Sequence, residues 1–409
     1  MDGNQNDINI HKLNLHTDNN STVLDLEARI SGLDRNPAVN ARNIRFSMSG
    51  QDRKNIMGEM FPSLQSGILE NIGNINYNGN IFASDQQFQV DGRLLTDAGG
   101  MDIDVYMTEN RHIFGDVSSD GIDLALLTEN SPFGKAVFDG SAEVYLTDGK
   151  LPDGSMNIDV KGIQFNEKEY SDISADITAV NGLIAGKISS MSSAMKLNVD
   201  ATYDTKNSDI DLSMHVDTAN VVLNNSNIGL HDTDLSIVGA LNGYKTINLN
   251  TDGIEASVRG EIGLDHLTVA IQNQLSAHLP TLIKPVSSDN RDNYSFDIML
   301  SRSMLTSRFI PEDIGLVSPL SINGYVDDRS DSIYIQIDAP NVTDKNRVLT
   351  DTHVTVNGNR RLLSAAVSGD FSNTDDEVPH KTRVNITADA QDDRLTSLLK
   401  WENEGMVYA

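Results

Sequence analysis

Cysteine is absent from this chain of 409 residues, and aromatic residues make up only 5% of it, with a single tryptophan. Without cysteine there is no disulfide framework, no thiolate metal site and no thiol nucleophile. No run approaches the roughly 18 apolar residues that a membrane-spanning helix needs. The opening MDGNQNDINI also lacks the basic and then apolar pattern of a secretory signal. These absences exclude thiol chemistry and give no sign of a helical membrane span.

Positive charge is also scarce. The chain has 31 Lys and Arg against 59 Asp and Glu, which gives a formal net charge of -28. Because DNA and RNA are dense polyanions, we expect no nucleic-acid partner. Apolar residues nevertheless make up 38% of the chain and follow a strict pattern, unlike the sparse apolar residues of a disordered acidic tail.

Catalytic motifs are missing as well. The sequence has no Gly-x-Ser-x-Gly elbow, no phosphate-binding Gly-x-x-x-x-Gly-Lys loop and no His-Glu-x-x-His metal helix. The nine histidines are scattered, and the cluster of His231, Asp232 and Asp234 fits the wet face of a strand better than a metal site. The acidic stretch NTDDEVP, residues 373–379, lacks the EF-hand pattern and is typical of a solvated loop. The sequence therefore predicts neither an enzyme nor a cofactor.

Alternation of apolar and polar residues is the strongest signal in the chain. In AMKLNVDATY, for example, Met195, Leu197 and Val199 share one parity, and polar residues occupy the other. About twenty such segments follow one another, joined by turn sequences such as Asp-Gly and Asn-Gly. A period of two places one face of a strand against an apolar environment and the other against water, as is typical of antiparallel sheets.

Helical periodicity is confined to two stretches, near residues 53–72 and 264–283, and linkers rich in Pro, Gly and Ser are absent. The sequence therefore predicts an all-β chain: one continuous, elongated, curled antiparallel sheet over residues 1–409, with one or two short helices. At about 4.8 Å per strand, twenty strands would extend the sheet to roughly 100 Å.

So large an apolar face must be covered, because the exposure of extended apolar surface to water is energetically unfavourable. A two-sheet sandwich or solenoid, a membrane barrel and an open trough all fit the alternation. The scarcity of aromatic residues argues against the two aromatic girdles of a barrel. Small residues such as Ala175 and Gly186 interrupt the apolar set and leave room for a flexible apolar ligand, although glycines in a filled core can also mark bulges.

We predict that aliphatic side chains of one parity form the floor of a hydrophobic groove. The alternative for each of them is ordinary core packing. The candidates for lipid contact are Ile103, Val105, Ile158, Val160, Ile177, Leu197, Val199, Leu212, Met214, Val258, Ile335 and Ile386.

Several short motifs resemble the TamB family of translocation and assembly modules, in particular its Bacteroidota-type members. A short helix ending in Ile72 and Gly73 precedes INYNG and GRLLTDAGG; FGDV, IDLALLTEN and FGKAVFDG follow. KEYSDISADI, MKLNVDATYD, RFIPEDI and SLLKWEN also resemble stretches of that family. The likeness extends over nearly the whole chain, but it consists of hydrophobic pattern and short motifs.

The resemblance implies the family fold, a curled open sheet with a hydrophobic trough (a β-taco), as in AsmA-like and bridge-like lipid-transfer proteins. It also implies a periplasmic protein that an N-terminal helix anchors in the inner membrane. The implied partners are phospholipid and an Omp85-type barrel protein of the outer membrane. Because neither the anchor nor the C-terminal domain of that family matches here, the chain is expected to be an interior segment of a larger protein.

The sequence thus supports three hypotheses. The first is a groove that carries phospholipid between the inner and outer membranes and supports outer-membrane assembly. The second is a scaffold that pairs its sheet edge with nascent outer-membrane strands by β-augmentation. The third is a β-solenoid adhesin with a filled core.

Overall fold

The computed structural model describes residues 1–18, 20–57, 71–108, 111–128, 132–147, 151–193, 195–223, 226–263, 267–286, 292–311, 313–373, 381–403 and 406–408. Over these residues the chain is all-β: its strands form an antiparallel, open sheet of 27 strands, accompanied by a few short helices. The predicted fold class is confirmed.

The strands follow one another in chain order, most of them 8 to 15 residues long. The first half contains β1 Asp2–Gly3, β2 Ile8–His16, β3 Thr22–Ser31, β4 Ala38–Met48, β5 Ile75–Ser84, β6 Phe88–Thr96, β7 Gly99–Met107, β8 His112–Asp123, β9 Phe133–Tyr145, β10 Asp153–Phe165, β11 Lys168–Tyr170, β12 Ile173–Val180, β13 Leu183–Met191 and β14 Met195–Asp204. The second half contains β15 Asp209–Leu223, β16 Ser226–Ala240, β17 Tyr244–Thr251, β18 Ile254–Glu261, β19 Asn293–Leu300, β20 Ile314–Leu316, β21 Leu320–Asp327, β22 Ser332–Asp344, β23 Arg347–Gly358, β24 Leu363–Asn373, β25 Thr382–Gln391, β26 Arg394–Asn403 and β27 Met406–Tyr408.

Helical residues occur within both predicted stretches. The first begins with a π-helical segment, Arg53–Met57, which continues a turn α1, Gly50–Asp52, that lies just before the predicted stretch; residues 58–70 of that stretch lie outside the described residues. The second contains α3, Leu267–Ser276, which ends before Pro280, a residue that cannot continue a helix. A single helical turn α2, Leu124–Leu127, and a 3₁₀ turn, Thr306–Arg308, complete the set.

The chain divides into two compact units. Unit 1 is Met1–Asp200 with Asn224–Ser226, and unit 2 is Ala201–Leu223 with Asn227–Ala409. In unit 1 each strand from β1 to β10 pairs with the next, after which β10 pairs with both β11 and β12, and β12 pairs with β13. In unit 2 the pairing runs from β16 to β19, continues through β21 to β27, and adds β20 to β22.

Tight turns set this hairpin register. Asn181 and Gly182 join β12 to β13 with φ angles of 52° and 81°. Two consecutive positive φ angles match the right-handed twist of the flanking strands, and Asn-Gly is the sequence that best tolerates them. The turn therefore fixes which residues of β12 and β13 share a face.

Buried apolar residues are unevenly distributed. Unit 2 contains a cluster built on Val258, Tyr294, Phe296, Val326 and Ile333, against which α3 packs. Unit 1 contains a smaller cluster of Ala98, Ile122 and Ala136, next to α2.

Candidate functional site

The apolar face of unit 1 is built by the register of β6 to β13. Val105 of β7 lies opposite Val90 of β6 and Gly115 of β8, and Ile177 of β12 lies opposite Met156 of β10. Because paired residues point to the same side of a sheet, the alternation of each strand adds to one surface. We call this surface the apolar face of unit 1; it consists of Val90, Ile103, Val105, Val117, Ala142, Met156, Ile158, Ala175, Ile177 and Ile188.

None of the side chains in this face is buried. All are half-buried except Ile188, which is 38% exposed. A filled core of the same aliphatic composition would bury most of its members almost completely. The apolar face of unit 1 is therefore accessible along its length.

The opposite face of the same strands is strongly acidic. Asp91, Asp104 and Asp116 lie directly opposite one another on β6, β7 and β8. The guanidinium of Arg93 on this face lies 2.7 Å from a carboxylate oxygen of Asp102 and 2.6 Å from one of Asp120. Like charges that face each other across a sheet repel, so this surface favours water and leaves the other face as the one available to an apolar ligand.

Glycines interrupt the apolar face where neighbouring strands approach most closely. A Cβ added at Gly92 would lie 2.4 Å from the carbonyl oxygen of Asn78, and one added at Gly115 would lie 2.2 Å from that of Asp104. Both distances are far below van der Waals contact, so only glycine fits. By contrast, an added Cβ at Gly140 would have its nearest neighbour at 3.6 Å. Close approach at these positions permits bending of the sheet and leaves the face locally free of side chains.

One rim of unit 1 is partly covered. The single turn α2 places Leu124 and Leu127 against the buried residues Ala98, Ile122 and Ala136. The side chain of Asp123 accepts a hydrogen bond of 3.0 Å from the N–H of Ala125 and so caps this turn. Coverage by α2 is small compared with the face it borders.

In unit 2 the apolar face is graded from closed to open. The row next to α3 contains Tyr294, Val326 and Ile333, which are 2%, 0% and 1% exposed. In the next row, Val258 and Phe296 are each 6% exposed. Further from the helix, Ile298, Ile322 and Ile337 are only half-buried, and Leu399 at the end of that row is 47% exposed. The cover formed by α3 therefore decides which part of this face is accessible.

Two polar side chains of unit 2, Lys245 and Gln274, are buried. Lys245, 2% exposed, donates its Nζ hydrogen to the carbonyl of Ile262. Burial lowers the pKa of this ammonium, and the nearby carboxylate of Asp292 opposes that shift. Gln274 of α3 donates to a carboxylate oxygen of Asp328 at 3.0 Å. Such buried groups must be satisfied by hydrogen bonds, so the contact between Gln274 and Asp328 fixes the position of α3.

A second contact fixes the segment that follows α3. The N–H of Thr281 donates to one carboxylate oxygen of Asp393 at 3.2 Å, and the Thr281 hydroxyl donates to the other. The N–H of Asp393 donates in turn to the carbonyl of His278 at 3.0 Å. The hydroxyl hydrogen bond is the main reason why the pKa of Asp393 lies below its ordinary value. The turn between β25 and β26 thereby holds the end of the covering segment.

The half-open part of unit 2 includes a surface depression of about 610 Å³. This volume falls within the range of about 300–1,000 Å³ that is typical of small-molecule sites. Leu249, Ala256, Ile298 and Ile322 line it together with polar residues such as Ser257, Asp297 and Asn323. The depression thus combines aliphatic contacts with hydrogen-bonding groups.

The structure places the twelve predicted groove residues as follows. Ile103, Val105, Ile158, Val160 and Ile177 share one face of unit 1 through paired strands. Leu197, Val199, Leu212 and Met214 are half-buried and alternate with more polar positions of β14 and β15. In unit 2, Val258 belongs to the buried cluster and Ile335 packs against it, whereas Ile386 on β25 is 37% exposed.

Sequence reasoning did not identify which residues of the apolar face of unit 2 are buried. Tyr294 and Phe296 alternate in NYSFDIML as on any half-buried strand, and nothing in that motif signals complete burial. Burial raises the pKa of Tyr294. Lys245 has the parity of Ile247 and Leu249 in YKTINLNT, and this interruption of the apolar parity is the one available signal for an enclosed cation.

Within the described ranges no three His, Asp or Glu side chains are grouped so as to hold a metal ion. No helix among these residues has both the length and the apolarity to cross a membrane. Comparison with protein-family models, with curated proteins and with solved structures finds no match for this chain. The TamB resemblance therefore rests on the sequence motifs alone.

Proposed function

We propose that the apolar faces bind the acyl chains of phospholipid and that the protein carries lipid in this way. The observation that supports the proposal is the half-open aliphatic surface of unit 1, from Val90 on β6 to Ile188 on β13, opposite an acidic, wet face. An acyl chain that lies on this surface is stabilised by about 0.8 kcal/mol for each methylene that it buries.

The chemistry of the surface suits movement as well as binding. Its side chains are aliphatic and small, with no polar group in the defined set to fix an acyl chain at one place. Non-directional burial stabilises an acyl chain at each successive position to a similar degree. A lipid can therefore advance along the sheet while its headgroup remains in water, without a catalytic step or a cofactor.

The wider role follows the resemblance. We propose a TamB-like protein of the periplasm that an N-terminal segment anchors in the inner membrane. It carries phospholipid toward the outer membrane and supports outer-membrane assembly with an Omp85-type barrel partner. The net charge of -28 is consistent with the expectation of no nucleic-acid partner.

The test is native mass spectrometry with lipid extraction, on the wild type and two matched variants. Ile177→Asp puts a charge on the apolar face, between Met156 and Gly186 on the neighbouring strands. Thr178→Asp puts the same charge on the wet face of the same strand, between Ser155 and Ala185. We expect phospholipid to co-purify with the wild type and with Thr178→Asp but not with a folded Ile177→Asp. Wild-type protein that neither co-purifies with lipid nor takes it up from detergent would refute the proposal.

A second candidate function is a scaffold for strands of outer-membrane proteins. The exposure of β26 and the free pairing edge that it has among the described residues support it. Every residue of Arg394–Asn403 is exposed, including Leu395 at 61% and Leu398 at 47%. In the described register β27 pairs only with Trp401–Asn403, so Arg394–Lys400 has a described partner strand on one side. An edge of this kind accepts an added strand through backbone hydrogen bonds.

Binding of a synthetic peptide that copies an outer-membrane strand distinguishes the two functions. The scaffold hypothesis expects peptide binding that Ser397→Pro abolishes, because proline removes a backbone donor from the strand. The lipid hypothesis expects that variant to retain its co-purified phospholipid.

A further inference from the structure

A depression of about 380 Å³ lies on the wet face of unit 1, opposite the aliphatic side chains. Among its lining residues, Tyr106, Phe114 and Glu143 lie directly opposite one another on β7, β8 and β9. Asp116 lies in the adjacent row, opposite Ser141 of β9. Because paired residues point to the same side of a sheet, these side chains share one surface. We call this site the wet-face depression.

Aromatic rings stack along one border of the wet-face depression. The ring centroids of Tyr106 and Phe114 are 5.3 Å apart, and their planes differ by 10°. The ring of His112 lies 5.0 Å from that of Phe114 and 4.3 Å from that of Tyr145. Phe114 is 36% exposed and Tyr145 is 47% exposed. The negative face of an aromatic ring attracts cations, so this strip of rings suits a positively charged ligand.

Hydrogen bonds hold carboxylates beside these rings. The Tyr106 hydroxyl donates to the carboxylate of Asp104, and this hydrogen bond is the main reason why the pKa of Tyr106 is raised. The Tyr145 hydroxyl donates to Oε1 of Glu143 at 3.0 Å, and Nε2 of His112 lies 2.9 Å from the same oxygen. Both contacts fix Glu143 next to the aromatic strip before any ligand binds, which lowers the entropic cost of binding.

Other carboxylates on the wet face of unit 1 are neutralised by basic side chains. The guanidinium of Arg93 lies 2.7 Å from a carboxylate oxygen of Asp102 and 2.6 Å from one of Asp120. The ammonium of Lys161 contacts the carboxylate of Asp139. These pairs show how the same face compensates negative charge outside the wet-face depression.

The wet-face depression has no such compensation. None of its described lining residues is Lys or Arg, and among the described residues the Asp116 carboxylate has neither a hydrogen-bond nor an ion-pair partner. Asp116 lies directly opposite Asp104, an arrangement of like charges that is destabilising. The nearby bases lie outside the lining: Arg111 is in the turn before β8, and Lys187 lies opposite Asp176. A bound cation would relieve the repulsion.

The lining selects an organic cation, and a guanidinium fits it best. A guanidinium is planar, stacks on aromatic rings and donates paired hydrogen bonds to carboxylates, whereas an ammonium is more strongly hydrated and has no flat face. Ser155 and Asn157 of β10 complete the lining with a hydroxyl and an amide, which accept further hydrogen bonds. The volume is near the lower end of the range of about 300–1,000 Å³ for ligand sites, so the depression has room for one side chain.

From this geometry we infer that the wet-face depression binds the side chain of an arginine residue in a basic segment of a partner protein. The guanidinium packs against the Phe114 ring and donates to the carboxylates of Asp116 and Glu143. The net charge of -28 attracts basic segments toward this face from a distance. The inference does not depend on lipid binding, because the site lies on the opposite face of the sheet.

The first test is isothermal titration calorimetry of the full chain with three short peptides that differ at one position. The peptide acetyl-Gly-Arg-Gly-amide should bind with a stoichiometry of one. Replacement of its arginine by citrulline, which has nearly the same shape but no charge, should weaken binding by roughly tenfold or more. Replacement by lysine keeps the charge but removes the planar group, so this peptide should bind about threefold more weakly than the arginine peptide.

The second test uses variants whose fold is checked by circular dichroism and thermal unfolding. Asp116→Asn should weaken binding of the arginine peptide by about fivefold or more, because one charged acceptor is lost. The matched control is Asp200→Asn, which makes the same charge change at an exposed position of β14 and should bind as the wild type does. Phe114→Leu should weaken binding about threefold, and Phe114→Tyr, which keeps a ring, should bind as the wild type does.

Three results would overturn the inference. The first is the absence of saturable binding of the arginine peptide to the wild type. The second is equal affinity for the arginine and citrulline peptides. The third is equal weakening by Asp116→Asn and Asp200→Asn, because the attraction would then come from the net charge alone. The lipid proposal fails or holds separately, since Ile177→Asp on the opposite face should lose co-purified lipid and still bind the arginine peptide.

Discussion

The two units share one sequence pattern but differ in how much of their apolar face they bury. In unit 1 the face stays half open from β6 to β13, and a single helical turn covers part of one rim. In unit 2 the ten-residue helix α3 packs over the equivalent kind of surface and buries Val326 and Ile333 almost completely. Alternation alone therefore does not determine whether a face is a core or a groove; what packs on it does.

Residues of the same type therefore have different roles in the two units. Ile103 and Ile333 are both aliphatic, both lie on an alternating strand, and both face the apolar side. Ile333 is 1% exposed and stabilises unit 2, whereas Ile103 is half-buried and remains available for a ligand. Variants that act on one unit and spare the other test the contrast.

The largest effect is expected where a charge is forced beneath α3. Ala270 is 2% exposed and belongs to the buried cluster of unit 2. An unpaired charge there should lower the free energy of unfolding of unit 2 by about 3 kcal/mol or more, because Ala270→Asp leaves a buried carboxylate without a partner. Hydrogen exchange resolved by mass spectrometry should show loss of protection in β19 to β25 and unchanged protection in β6 to β10.

Thr268→Asp is the matched control for this variant. Thr268 is exposed in the first turn of the same helix, where a negative charge is favourable. Its hydrogen exchange should match that of the wild type. A loss of protection in both units after Ala270→Asp would contradict the assignment of α3 to unit 2 alone.

A pair of truncations compares the two faces directly. Ile333→Ala should cost about 3 kcal/mol, within the usual range for a fully buried aliphatic side chain. Ile103→Ala should cost about 1 kcal/mol or less, since much of its side chain is already in contact with water. Denaturant titration followed by exchange in each unit measures both values. Equal costs would show that the face of unit 1 is as well packed as the core of unit 2.

The sequence predicted the strands and their faces because both depend on local pattern. The alternation in GGMDIDVYM alone places Ile103 and Val105 on one side and Asp104 on the other, and the register agrees. The cover of unit 2 was not predictable in this way. Gln274 reaches Asp328, and Thr281 reaches Asp393, across separations of 54 and 112 residues. No local periodicity encodes such contacts. The burial of Lys245 was hidden for the same reason, since its Nζ donates to the carbonyl of Ile262, 17 residues away along the chain.

Glycine substitutions test whether close approach of neighbouring strands is what requires glycine on the apolar face of unit 1. In Gly92→Ala the new Cβ would meet the backbone oxygen of Asn78 at 2.4 Å. Relief requires the strands to move apart, so a loss of about 1–3 kcal/mol is expected. Gly140→Ala is the control on the same face, with its nearest neighbour at 3.6 Å, and its effect should stay within about 0.5 kcal/mol. Thermal unfolding of both variants checks this, and equal losses would show that close strand approach is not what requires glycine at position 92.

The smallest expected effect concerns the contact that fixes the end of the covering segment. Because the Thr281 hydroxyl lowers the pKa of Asp393, their interaction stabilises the folded state above the ordinary carboxyl pKa. This contribution is lost as the pH falls through the lowered value. Thr281→Val removes the hydroxyl donor, so the pKa of Asp393 should rise, and only the smaller contribution of the Thr281 N–H remains, to be lost at a higher pH than in the wild type. NMR titration of the Asp393 carboxyl measures the shift.

Asp370 provides the internal reference for that titration, because its pKa is lowered by the hydrogen-bonded guanidinium of Arg383 and not by a threonine. Thr281→Val should leave the Asp370 titration unchanged while shifting that of Asp393. Exchange of α3 should then be faster in the variant than in the wild type near neutral pH, and the two proteins should converge in acid, below the lowered pKa of Asp393. If the two proteins protect α3 equally at every pH, the buried cluster alone holds the helix, and the accessible part of unit 2 is set by apolar packing.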